Sequence, residues 1–218
     1  MNRTIRFLPL VLALTLAAAP ASAAMKWGAE VFGAWNTHTM DGWNDAIDEA
    51  NESGLDYESI ENGFSFGAGP TLMVNDTWQF GAHFEMLMPK KSSDETTDIE
   101  IDTAANVFGA SVGYWFPSAS PMRFGLNGSI DYYTLASELS DPSETLDVEG
   151  SGVGFMIQGM GSYRFSPLFS GNLGLGYRIA DIEIDEIGGE PVDGSLPFDS
   201  QDYSGLSVRA GLSMNFGQ

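Results

Sequence analysis

Residues 78–88 read Trp78-Gln79-Phe80-Gly81-Ala82-His83-Phe84-Glu85-Met86-Leu87-Met88. Every second residue (Trp78, Phe80, Ala82, Phe84, Met86 and Met88) is apolar. A period of two puts these six on one face of an extended strand and the intervening residues on the other. The stretch is also long enough to cross a bilayer as a tilted strand, which takes roughly 9–11 residues.

The same pattern recurs on both sides of it. Eight alternating segments run over approximately 26–36, 63–73, 77–88, 106–116, 122–133, 152–165, 169–180 and 204–216. The first presents Trp27, Ala29, Val31, Gly33 and Trp35 on one face. The fifth presents Phe124, Leu126, Gly128, Ile130 and Tyr132. The last presents Leu206, Val208, Ala210, Leu212, Met214 and Phe216, with Ser207, Arg209, Gly211, Ser213 and Asn215 opposite.

Soluble β-barrels alternate too, with their apolar side chains inward. Three features select a barrel with its apolar face outward in lipid. Aromatic residues sit at the ends of the apolar faces: Trp27, Trp78, Phe116, Phe124, Phe165, Phe169 and Phe216 at one end, Trp35, Phe64, Phe108, Tyr132, Phe155 and Tyr177 at the other. Such rings belong at the two membrane interfaces. The opposite face is rich in Gly, Ser and Asn, which suit the crowded interior of an eight-stranded barrel. The connections alternate in length, with short turns at 74–77, 117–121 and 166–168 and long loops at 37–62, 89–105, 134–151 and 181–203. Short periplasmic turns and long external loops are the pattern of outer-membrane barrels. Both termini are then expected in the periplasm. The fold class expected is all-β, an eight-stranded antiparallel up-and-down transmembrane barrel with long external loops.

Met1 to Ala23 reads as a secretory signal peptide: Arg3 and Arg6, an apolar run from Phe7 to about Ala19, then Ala21-Ser22-Ala23. The apolar run is short of the ~20 residues of a spanning helix. Cleavage is expected after Ala23 or Ala24, leaving 25–218 as the barrel. The chain has no cysteine, which removes disulfides, thiol chemistry and a lipid-modified N-terminal cysteine.

Beyond the signal, seven Lys and Arg face thirty Asp and Glu. That balance excludes a nucleic-acid partner, which needs clustered cations. The acids are segregated, with 26 of the 30 in the four long loops, opposed there only by Lys90 and Lys91. Polar, soluble loops explain this without a specific role. The functional reading is a divalent cation, Ca²⁺ or Mg²⁺, that bridges lipopolysaccharide or orders the loops, since both ions favour carboxylate oxygen. No spacing matches a twelve-residue calcium loop, so no ligand set is named.

With these strands, these girdles and a last strand ending near Phe216, the mature chain resembles the small eight-stranded outer-membrane barrels, the OmpA transmembrane domain and OmpX-like proteins. The final aromatic residue departs from the family pattern, because Gly217 and Gln218 follow it. The resemblance implies an outer-membrane location, contact with outer-membrane lipid and lipopolysaccharide, and recognition by the barrel-assembly machinery. It implies no activity, because the fold hosts adhesins, structural proteins, solute pathways and lipid-modifying enzymes.

The loops carry their own pattern. In 55–58, 99–102, 146–149 and 182–185, apolar residues alternate with acids. Parity counted from the neighbouring strands puts every acid outward and every apolar residue inward. The strands are therefore expected to continue above the membrane. Leu55, Tyr57, Ile99, Ile101, Leu146, Val148, Ile182 and Ile184 would form an apolar upper interior. It is either a packed plug or a pocket for a hydrophobic ligand. Trp43, Ala46, Ile47 and Ala50 recur at helical spacing, with Asp41 as N-cap and Gly54 as stop. A short amphipathic helix over the barrel mouth is expected there.

Inside the membrane, inward charges are few. Glu30, Glu85, Asp131, Arg178 and Arg209 are expected to form a lumen network, with Glu30, Arg178 and Arg209 as one cluster. Buried charges must pair, and the functional reading of such a network is a gated polar path. Catalysis needs a nucleophile beside a base. The two histidines, His38 and His83, lie near no suitably spaced serine. The expectation is a monomeric, non-enzymatic barrel without cofactor and with a structural or surface-interaction role. A binder or conduit for a small hydrophobic molecule is the second reading, and a lipid A-modifying enzyme the third.

Overall fold

The structure is a computed structural model and describes residues 25–52, 54, 56–89, 92–94, 99–140, 145–192 and 200–216. The signal-peptide reading lies outside those residues. Eight strands close a ring: β1 (Met25–Thr37), β2 (Asn62–Val74), β3 (Trp78–Pro89), β6 (Ala105–Trp115), β7 (Met122–Ser140), β8 (Thr145–Arg164), β9 (Phe169–Ile187) and β12 (Gly205–Phe216). Each pairs antiparallel with the next in chain order, and β12 returns to β1 with Trp27 opposite Phe216 and Val31 opposite Leu212. Short strands β4 (Ser92–Asp94), β5 (Ile99–Asp102), β10 (Glu190–Pro191) and β11 (Ser200–Asp202) and a helix, α1 (Asp41–Glu52), lie at one end.

Local chemistry places the turns. Asn75 and Asp76 both take φ of 55°, and Thr77 N–H donates to the Val74 carbonyl at 3.2 Å. Two left-handed residues in a two-residue loop match the twist of a hairpin, and Asn and Asp tolerate that region. Gly188 and Gly189 do the same between β9 and β10. In the turn between β8 and β9, the Ser166 hydroxyl accepts from the amides of Leu168 and Phe169.

The alternation resolves as two faces. Outward side chains are large and exposed: Ile157 at 73%, Leu173 at 68% and Leu175 at 61%. A water-soluble monomer does not carry so continuous an apolar surface. Every residue of the two aromatic girdles faces outward and is exposed. On β9 the apolar outward face runs from Phe169 to Ile179, then changes to Asp181, Glu183 and Asp185. Ten residues of tilted strand give a band about 25 Å tall, the height expected for the outer membrane.

The wall has two heights. Strands β7, β8 and β9 are 19, 20 and 19 residues long, whereas β1, β2, β3, β6 and β12 are 11 to 13. Of the four alternating loop pieces, 146–149 and 182–185 are continuous with β8 and β9. Residues 99–102 form the separate strand β5, which pairs with β7, and the described part of 55–58 is not a strand. Because β5 pairs with β7 in the same register as β6, with Asp102 opposite Glu138 and Ala105 opposite Leu135, the upward continuation expected for all four pieces holds for three. On the low side, α1 and the segment that returns from it to β2 cover the mouth.

Helix α1 begins at Asp41, the residue expected to be its cap, and so starts one residue earlier than expected. Met40 is left-handed at φ 50°, and its carbonyl accepts from Asn44 N–H at 2.9 Å. Asp41 is then the first helical residue, where its charge still favours the positive end of the helix dipole. Gly54, at φ 101°, follows the helix end. Ile47 is buried and Ala46 half-buried; the side chains of Trp43 and Ala50 lie outside the described residues.

Candidate functional site

The interior is stacked in tiers. At the short-turn end, Trp115 Nε1–H donates to Gln79 Oε1 at 2.7 Å, and the Arg123 guanidinium lies 4.1 Å from the centre of the Trp115 ring. A cavity of about 20 Å³ bounded by Glu30, Gln79, Trp115 and Arg123 sits above this floor. A larger one, about 40 Å³, is lined by Glu30, His83, Asn127, Gln158, Asn172 and Arg209. Volumes of this size hold about one water in the smaller cavity and about three in the larger.

The five expected lumen charges separate into two ion pairs and one carboxylate bound to a histidine. Arg209 approaches Glu30 at 3.6 Å and stacks over the Phe32 ring at 3.2 Å from its centre. Asn172 Nδ2–H donates to Glu30 at 3.3 Å. Arg178 Nη2–H donates to both oxygens of Glu85, at 2.9 and 3.0 Å, with both side chains buried. Arg178 thus leaves the Glu30–Arg209 group it was expected to join. The reason is geometric. Strands β9 and β3 are four apart in a ring of eight, so Arg178 reaches straight across the lumen.

Asp131 accepts from Ser129 Oγ–H at 2.9 Å, and its other oxygen lies 3.3 Å from His83 Nε2. The two residues are separated by Gly109 on β6, which is in register with both. A Cβ at Gly109 would meet the Asp131 carboxylate and the His83 ring. The glycine is what lets residues on β3 and β7 touch over the strand between them. Here the carboxylate stands between hydroxyl and imidazole, whereas activation of a serine needs the imidazole in the middle.

Above Glu85 and Arg178 the interior turns apolar. Tyr57, Ile101, Val148, Ile182 and Ile184 are buried in one continuous cluster with Met40, Ile47, Ile60, Leu87, Val107, Tyr133 and Tyr203. Leu146 is half-buried; Leu55 and the side chain of Ile99 lie outside the described residues. Inward parity also marks Leu87, Val107, Tyr133 and, counted back from Ser207, Tyr203 in the sequence, but no strand pattern points to Ile60.

The cover over this cluster is built as one piece. Asn44 Nδ2–H donates to the carbonyls of Thr39 and Ile60, and its Oδ1 accepts from Ile60 N–H at 2.8 Å. Asn51 Nδ2–H donates to the Tyr57 carbonyl and its Oδ1 accepts from Tyr57 N–H at 2.7 Å. Two asparagines, seven residues apart on one helix face, thus pin the return segment to α1. Met40, Ile47, Tyr57 and Ile60 then press this lid onto the barrel. His38, just before it, is buried with its ring edge-on to Tyr203 at 5.5 Å. Burial, with the nearby Arg178 charge, lowers the imidazole to about 4.

Outside, the tall wall is acidic. Asp102, Glu138 and Asp147 stand side by side across β5, β7 and β8. Glu149, Asp181, Glu183 and Asp185 are exposed on the same wall. Among the described residues no three His, Asp or Glu side chains converge on one point.

Known proteins support the architecture. No curated protein matches the sequence. Among solved structures, the major outer membrane protein of Thermus thermophilus is similar, at a TM-score of 0.59 and 12% identity, over 88% of this chain and 100% of that one. Neisserial surface protein A is similar at a TM-score of 0.54 and 17% identity, over 87% and 97%. At these identities the likeness concerns the fold. The family described as the outer membrane protein beta-barrel domain matches residues 9–216. With its closed eight-strand ring, lipid-facing band and small-residue interior, the chain belongs to the outer membrane protein β-barrel domain family.

Proposed function

We propose that this outer-membrane barrel is a closed, monomeric, non-enzymatic surface protein that acts through its acidic outer wall in a structural or interactive role. One observation carries the reading: the lumen is obstructed at the Trp115–Arg123 floor, at the Glu85–Arg178 bridge and at the lid, while an acid-faced wall rises above the lipid band. These obstructions among the described residues support a closed lumen, and the hydroxyl–carboxylate–imidazole order at Ser129, Asp131 and His83 does not place the imidazole beside the hydroxyl it would have to activate. Both termini belong on the periplasmic side, because the described chain ends share the barrel end that carries the short turns. The wall would meet lipopolysaccharide through divalent cations, which join its carboxylates to the lipid's phosphates. Two measurements test this. The refolded protein in planar bilayers should show no stable open state. Its association with lipopolysaccharide should need Ca²⁺ or Mg²⁺ and fall when Asp147, Glu149, Asp181, Glu183 and Asp185 become Asn or Gln. A persistent conductance would overturn the closed reading, and cation-independent association the bridging one.

A further inference from the structure

A groove of about 540 Å³ runs along the lipid-facing side of β8, in the half of the apolar band nearer the short turns. Its floor is Gly159 and Gly161. Gly159 stands between Leu126 of β7 and Leu175 of β9, and Gly161 between Phe124 and Leu173. All four flanking side chains are exposed and form two apolar walls. Tyr163, paired with Met122 on one side and Gly171 on the other, bounds the end next to the short turns.

The barrel itself does not require these glycines. None of Gly159, Gly161 and Gly171 has a positive φ. A Cβ at Gly161 would come no nearer than 3.5 Å to the Phe124 ring, and one at Gly159 or Gly171 no nearer than 3.8 Å to any atom beyond the adjacent residues. Glycines that face the lumen differ: a Cβ at Gly174 would run into the Gln158 side chain and one at Gly154 into the Tyr133 ring. Glycine in a strand interior weakens the strand and packs nothing. What the three outward glycines leave is an open slot, in a band whose other outward residues are mostly large.

The slot ends at a positive rim. Arg164 follows Tyr163 and is exposed. Lys26, Arg123 and Arg164 are the cations of the short-turn end; Asp76, its one acidic side chain, pairs with Lys26 at 2.8 Å. The occupant that fits is therefore a linear hydrocarbon with an anionic group at its short-turn end. Hydrophobicity does not draw one apolar surface to another within lipid, so packing and charge decide. A methylene chain in the slot touches the floor and both walls at once, and an arginine fork takes a phosphate. A second copy inserted the same way up would bring like-charged rims together. Lipid A, in the orientation proposed above, lies in the other leaflet, out of reach of Arg164. We propose that this slot is a binding site for one acyl chain of an anionic glycerophospholipid, in the leaflet at the short-turn end, with the lipid phosphate on Arg164.

The probe is phosphatidylglycerol with a diazirine in one acyl chain, present in trace amount in phosphatidylcholine vesicles. It occupies both leaflets, so the result does not depend on which way the chain inserts. The full mature chain is refolded into the vesicles and irradiated, and labelled residues are mapped by peptide mass spectrometry. Label should concentrate on the slot, about fivefold above the equally lipid-exposed outer face of β1 and β2. Gly161→Leu fills the slot without a clash, so it should keep or raise the unfolding midpoint and bring the slot label down to that background. Arg164→Gln, at an exposed position, should lower slot labelling by phosphatidylglycerol about fivefold and leave labelling by the matching phosphatidylcholine probe unchanged. Label spread evenly over the lipid-facing surface overturns the proposal, and so does an unchanged slot label in folded Gly161→Leu. If Gly161→Leu does not fold, Arg164→Gln decides: the same ratio of the two probes in the slot of wild type and variant overturns it.

Discussion

Arg178 on β9 and Glu85 on β3 join opposite walls of the barrel, 93 residues apart in sequence and 2.9 Å apart in space. The pair divides the interior. Below it lie the small polar cavities and the other lumen charges; above it lies the apolar cluster, with His38, Thr103, Ser137 and Gln201 buried beside it.

Removing one partner leaves the other charge buried. Glu85→Gln or Arg178→Met should each destabilise the barrel by roughly 3–5 kcal/mol, and the double replacement by clearly less than the sum. Urea unfolding in lipid vesicles, followed by Trp fluorescence, measures all three. Additive losses would show that the two side chains do not act as a pair.

Gly109 holds the second cross-strand contact open. Gly109→Val should push His83 and Asp131 apart and cost about 1–3 kcal/mol by overpacking. The same change at Gly128, which faces outward and has nothing closer than 3.8 Å to an added Cβ, should be tolerated. The contrast between the two unfolding midpoints is the test.

His38 makes the mouth sensitive to acid. Burial first, then the Arg178 charge, lowers the imidazole from near 6.5 to about 4, against smaller opposing effects from Glu85 and the Tyr203 backbone. The unfolded segment takes up its proton near pH 6.5, the folded one only near 4. The stability contributed by neutral His38 is therefore complete above about 6.5 and is lost as pH falls from there toward 4. Protection of the 41–61 amides from hydrogen exchange, corrected for intrinsic rate, should drop over that interval. His38→Gln should flatten the profile.

The lid should loosen without the barrel opening when its two internal clamps are cut. Asn44→Ala and Asn51→Ala each remove paired amide-to-backbone bonds worth about 1 kcal/mol apiece. Exchange at Tyr57 and Ile60 should accelerate in both variants, while amides in the middle of β8 and β9 keep wild-type protection. Equal acceleration everywhere would place the asparagines in the barrel's global stability instead.

Three acids in one row repel. Glu138 lies opposite Asp102 on one side and Asp147 on the other. Glu138→Lys should stabilise the upper wall by about 0.2–1 kcal/mol for each opposite-charge pair formed. The gain should shrink as salt is added, which urea midpoints at two ionic strengths will show.

The sequence by itself determined the ring and its polarity. Alternation in 78–88 and its seven repeats, with Trp27, Trp78 and Phe216 at one end and Trp35, Phe108 and Tyr177 at the other, needs no knowledge of pairing. Each residue's preference for lipid, interface or crowded lumen is a local property, so it survives in the linear order. The change of parity above Ile179, from apolar outward to Asp181 outward with Ile182 inward, was legible for the same reason. Only the tertiary structure decided which charges meet. Arg178 passes over its neighbours to Glu85 because a closed ring of eight sets β9 opposite β3, and His83 touches Asp131 because register puts Gly109 between them. It also decided that β7, β8 and β9 rise unbroken while β5 and β11 carry the lines of β6 and β12 upward in the same register, and that Ile60, from a segment with no periodicity, joins the buried cluster inside the mouth. Those relations depend on closure and register, which no single strand's sequence contains.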